Sequence, residues 1–141
     1  MNKINMNARR KARRFALQAV YQWQMTGAVL GDIEKEFFEF NDINKFDVDY
    51  FRDLLRGVIE FNVRIDAEMS PALDRPIGEL NPIELAVLRI AIYELFYQKN
   101  VPYKVVINEA LELTKTFGST DGFKFVNGVL DKVVTDNKLR K

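Results

Sequence analysis

No cysteine and no histidine occur in this 141-residue chain. The first absence excludes disulfides, thiolate metal sites and a cysteine nucleophile. The second removes the commonest general base and the commonest metal ligand. Serine is nearly missing as well: Ser70 and Ser119 are the only two, with no imidazole to activate either. Walker-type and GxGxxG loops are absent, and the acids are dispersed, with no pair in a recognisable catalytic frame. Glu84, Arg89 and Glu94 share one helical stretch, where charge pairs on a helix surface are the ordinary reading. No catalysis, no cofactor and no metal are therefore expected. No apolar run approaches the roughly 18 residues of a membrane span.

Acidic residues are missing from one end. None appears before Asp32, while Lys3, Arg9, Arg10, Lys11, Arg13 and Arg14 all fall there. The whole chain is nearly neutral at +1, so the remainder is acidic and the basic end is hidden in the total. Such asymmetry points to a polyanionic partner for the basic segment. A secretory signal would need a continuous apolar core after the cations, but Gln18, Gln22 and Gln24 interrupt it. A transit peptide would be Ser-rich, and the first serine is Ser70.

Composition fits one globular domain, with 48% hydrophobic and 29% charged residues. The pattern is helical nearly throughout, without sustained alternation of period two, so an all-α fold of about seven helices is expected. Helices are read at about 8–26, 32–40 and 48–68, with Asp47 capping the third. Ile33, Phe37 and Phe40 mark the inner face of the second; Phe51, Leu54, Leu55, Val58, Ile59 and Val63 mark that of the third. "SPALDRPIGELNP" breaks the pattern and separates an N-terminal group, about 1–70, from a C-terminal one, about 71–141. Asn81-Pro82 is a strong helix start. The stretch beyond it, "IELAVLRIAIYELFYQ", is apolar on most sides and should be central. Pro102 opens another helix, Gly118 stops it, and Asp121 caps the last.

In the basic helix, Ala12, Phe15, Ala16, Ala19, Val20 and Trp23 fall on one face at roughly 100° per residue. Arg10, Arg13, Arg14 and Tyr21 fall around the other side with Leu17 between them, and Arg9 and Lys11 flank them in an extended lead-in. Guanidinium groups pair bidentately with phosphate and gain from counterion release. Arginine planes and a neighbouring tyrosine also stack on unpaired bases, the main route to single-stranded RNA. A merely solvated charged face is the competing reading. A membrane-surface role would need a larger apolar face than this alanine-rich one.

"ARRKARRFALQAVYQWQ" resembles the arginine-rich N-terminal helix of the NusB transcription antitermination family. "YFRDLLRGV", "VLRIAIYEL", "VPYKVVINEALELTKTFG" and "KFVNGVLDKV" continue the likeness in the family's order and spacing. The resemblance implies an all-α fold of two packed helical subdomains forming a single RNA-binding domain in a cytoplasmic protein. It implies binding to the boxA segment of nascent RNA together with NusE, ribosomal protein S-ten of the small subunit. The pair helps RNA polymerase elongation complexes resist termination, notably on ribosomal RNA operons.

Carried over by position, the RNA-binding residues are Arg9, Arg10, Lys11, Arg13 and Arg14. Lys11 keeps the charge of a third arginine but lacks its bidentate fork. Tyr21 is placed to stack on a base or to meet the protein partner. Asp121, Lys124 and Phe125 match positions that the family associates with RNA; Asp121 has helix capping as its other role, and Phe125 has core packing. Gly128 lies inside the last helix, where close approach of a neighbouring helix is the simple explanation. Glu84 is the partner-binding candidate, with a first-turn acid favoured by the helix dipole as its alternative. NusB-like modules also accompany ribosomal RNA cytosine methyltransferases; this chain, without cofactor loops or a cysteine, fits that class only as a fragment.

Overall fold

A computed structural model describes the backbone of residues 3–140 and the side chains of residues 7–140. The fold is all-α: seven α-helices and three short 3-10 turns, with no strand among the described residues. The helices are α1 (Lys3–Thr26), α2 (Leu30–Phe40), α3 (Val48–Glu60), α4 (Asn62–Met69), α5 (Pro82–Tyr97), α6 (Tyr103–Phe117) and α7 (Gly122–Asp136). They divide into two compact units, one ending at Glu60 and the other beginning at Phe61.

The first unit is α1 to α3. Its α1 packs mainly on α3, and Ala12, Ala16, Ala19 and Val20 are fully buried. Small side chains at those positions allow helix axes to approach closely. Beside them sits an aromatic cluster, with Phe15 edge-on to Phe46 at 4.8 Å and Phe46 edge-on to Phe51 at 5.7 Å. Asp47 caps α3 as its sequence suggests, its carboxylate accepting from the Tyr50 amide at 3.0 Å. The Asp47 amide donates to the Ala8 carbonyl of α1 at 3.1 Å, tying the start of α3 to α1. Glu34 of α2, nearly buried, accepts two hydrogen bonds from Arg56 of α3, at 3.0 and 3.1 Å.

In the second unit α5 is the centre, packed on α4, α6 and α7. Every residue from Ala86 to Leu95 is buried, as expected of a helix apolar on most sides. Its start is the predicted one: the Asn81 side chain accepts from the amides of Ile83 and Glu84, and Pro82 takes the first position. Arg89 turns its polar end to Asp66 of α4 in a bidentate pair at 2.9 and 3.0 Å.

Four expectations change. The helix read over 48–68 is broken at Phe61, whose ring stacks on Tyr97 at 4.6 Å and lies parallel to Tyr93 at 6.5 Å. That aromatic contact assigns α4 to the second unit, so the division comes earlier than residue 70 and the proline-rich stretch lies within one unit. The break also shifts the helical phase, leaving Val63 84% exposed where continued periodicity would bury it. Phe40, the last residue of α2, is likewise exposed.

The bidentate Arg89–Asp66 pair is largely shielded from solvent, so replacing the carboxylate removes two charge-assisted hydrogen bonds from the α4–α5 contact. Asp66→Asn is expected to lower stability by about 2–3 kcal/mol, measured by urea denaturation of the full chain.

Candidate nucleic-acid interface

Helix α1 runs straight through the basic segment, so Arg9 and Lys11 are helical rather than part of an extended lead-in. From there the exposed positions are regular. Asn7, Lys11, Arg14, Gln18, Tyr21 and Met25 are all exposed and follow one another at alternating spacings of four and three residues, with Arg10 exposed alongside. This is one narrow outward stripe. Lys11 and Arg14 make no hydrogen bond or ion pair among the described residues.

Arg13 is not on that stripe. It is 4% exposed, and Leu17, read beside it, is buried too. The Arg13 guanidinium lies 5.4 Å from the centre of the Tyr50 ring, and that of Arg9, which is half-buried, lies 4.2 Å over the same ring. Residues 9, 13, 17 and 20 share a helical stripe facing α3, and an arginine is tolerated there because its stem is apolar and its plane matches an aromatic face. Arg9 Nε also lies 3.9 Å from Asp47. Two of the five cations therefore brace α1 against α3, and Arg10, Lys11 and Arg14 face outward. Gln18 joins the same outward stripe, at the spacing 11–14–18–21.

The other candidates belong to the second unit. Asp121 occupies the N-cap position of α7, yet its side chain makes no capping hydrogen bond and is exposed. Lys124 is exposed one turn on. Phe125 is half-buried, with the Arg75 guanidinium 4.9 Å from its ring centre, so one aromatic face is already covered. Arg75 is itself held by Asp74 through hydrogen bonds of 2.8 and 3.3 Å. The bond to Arg75 keeps the Asp74 carboxyl below its ordinary range.

Glu84 turns inward. It is 7% exposed, and its carboxylate accepts from the Ser119 hydroxyl at 2.9 Å. The same oxygen would stand 2.6 Å from a Cβ at residue 122, so a larger residue at the first position of α7 would require the Glu84 carboxylate to shift. Glu84 thus holds the turn that carries Asp121, a positioning role in place of an outward contact. Gly128 is different: a Cβ there would meet nothing within 4 Å, so no neighbouring helix explains it. Among the described residues no group of His, Cys, Asp and Glu could hold a metal, and no helix is long and apolar enough to cross a membrane.

The two glycines should respond oppositely. Gly122→Ala forces Glu84 away from Ser119 and should cost on the order of 1–3 kcal/mol. Gly128→Ala should stabilise α7 by about 0.5–1 kcal/mol. Thermal melts of both variants against the parent chain read the signs.

Known proteins are similar to this chain in sequence and in fold. A sequence model of the NusB family matches residues 10–135. The transcription antitermination protein NusB of Shewanella amazonensis is 53% identical over 129 residues, covering 92% of this chain and 96% of that protein. The NusB of Idiomarina loihiensis is 57% identical over 127 residues, covering 90% and 91%. Among solved structures, T. maritima NusB superimposes with a TM-score of 0.79 at 32% identity, covering 91% of each chain. A chain from the crystal structure of antitermination factors NusB and NusE in complex with dsRNA gives 0.82 at 26% identity, covering 93% of this chain and 98% of its own. The exposed basic stripe of α1, the capped central α5 and the extent of these matches lead to one conclusion: the chain belongs to the NusB family.

Proposed function

We propose that this protein is a transcription antitermination factor that binds boxA-type single-stranded RNA of nascent transcripts together with NusE, supporting transcription of ribosomal RNA operons. Its action on the RNA polymerase elongation complex is indirect, through that assembly, and involves no catalytic step. The observation that carries the reading is the outward stripe of α1, where Lys11, Arg14, Gln18 and Tyr21 follow at helical spacing with Arg10 beside them. The cations meet phosphates, the amide of Gln18 has donors and an acceptor for base edges, and Tyr21 offers a stacking face. A rigid helix presents these groups at fixed intervals, which limits the entropy lost on binding. The names of the relatives and the NusB–NusE–RNA composition of the neighbouring structure support the choice of partners.

Arg9 and Arg13 serve this surface by holding α1 on Tyr50, and Arg13 contributes charge rather than a direct phosphate contact. Asp121, Lys124 and Phe125 are the RNA-contact candidates of the second unit, on a turn that Glu84 holds through Ser119. Contact with NusE through Glu84 is accordingly indirect, by way of the Ser119–Gly122 turn.

Fluorescence anisotropy with a boxA-like single-stranded RNA, with and without NusE and at two salt concentrations, tests the assignment. The Lys11→Gln, Arg14→Gln double variant should bind more weakly and lose about 0.7 from the salt slope for each phosphate contact removed, with helicity unchanged. NusE should tighten binding by the parent chain. Equal affinity and slope for parent and double variant would remove α1 from the RNA surface.

A further inference from the structure

The second unit holds its own cluster of cations, which the acidic total outside the basic helix conceals. A cavity of about 590 Å³ lies where the start of α6 meets the end of α7. Lys99, Lys104 and Lys138 line it, with Asn100 and Asn137, and none of its lining residues is acidic. Leu95, Val101, Pro102 and Leu139 supply an apolar wall. Asp121, Lys124 and Phe125 lie at the opposite end of α7, about 20 Å away along its 15 residues. Arg140 lies nearby, 6.0 Å from the Tyr103 ring, but its guanidinium is paired with Asp131 and is not counted here.

Two further features favour an anion in this cavity. The N-cap of α6 is Pro102, which offers no side-chain acceptor, so the amides of Tyr103 and Lys104 remain uncapped by it. The amides of Val105 and Val106 both turn back to the Pro102 carbonyl, at 3.0 and 3.1 Å. At the end of α7, Lys138 is the one non-glycine residue with positive φ among the described residues, at 54°. Its amide bonds the Thr135 carbonyl and that of Leu139 bonds Val134, the hydrogen-bond pattern that normally takes glycine at this position. A lysine accepts the strain of that conformation at a position that lines the cavity.

We propose that this cavity is a phosphate-binding site, in which Lys99, Lys104 and Lys138 and the first-turn amides of α6 take the oxyanion and the apolar wall takes the group that carries it. The ligand chemistry is a phosphate, supplied by an RNA backbone or by a free polyphosphate. The site does not depend on the RNA reading of α1.

Inorganic pyrophosphate titrated into the full chain at low salt, followed through the backbone amide resonances, provides the test. Saturable shifts are expected at Tyr103, Lys104 and Lys138. Lys104→Gln should raise the half-saturating concentration several-fold. Lys138→Gly should weaken binding as well, while its melting temperature holds or rises because glycine suits that backbone. Lys35→Gln, on α2, should leave binding unchanged. Shifts that never saturate, binding indifferent to both cavity substitutions, or an equal loss from Lys35→Gln would each overturn the proposal. RNA titrations of Lys104→Gln then separate the sources: a salt slope lower by about 0.7 identifies the RNA backbone, and an unchanged slope beside weakened pyrophosphate binding identifies a free polyphosphate.

Discussion

The burial of an alanine stripe on α1 against its neighbours is the constraint on which the first unit depends. Ala12, Ala16 and Ala19 are fully buried, and bulkier side chains there would push α1 away from α3. That separation would remove the Tyr50 ring from Arg9 and Arg13, and with it the support for the outer stripe. The packing of one face of α1 and the placement of its outer cations are thus coupled. The surface is rigid because the opposite face is closely packed.

A comparable dependence organises the second unit around α5. Its continuous burial leaves only a few polar exits, and two of them position other elements. Arg89 meets Asp66 and fixes α4, and Glu84 meets Ser119 and fixes the turn into α7. Charges on a central helix are costly unless paired, so both act as joints of defined geometry rather than as solvent-facing groups.

Local signals made much of this legible in the sequence. Asn81-Pro82, Asp47 and Gly118 mark helix ends through the capping and φ preferences of single residues, and the apolar circumference of α5 announced its central place. The break at Phe61 was not legible, because apolar spacing continues across it and the cause is stacking on Tyr93 and Tyr97 in another helix. Arg13 was misread for the same kind of reason. An arginine in a basic run suggests solvent, and only the tertiary position of Tyr50 reveals a ring to receive it. Glu84 likewise needed Gly122 and Ser119, which lie far along the chain, to show which way it turns. Helix existence follows from local chemistry, whereas the direction a long charged side chain takes is decided by what packs beside it.

The buried placement of Arg13 bears on how the surface behaves as ionic strength rises. Mobile ions crowd around exposed cations and weaken their reach, but they cannot enter the packed ground beside Tyr50. A charge held there is shielded less than its exposed neighbours on α1. The cations of α1 therefore meet mobile ions unequally, the outer ones fully and the packed arginine only in part.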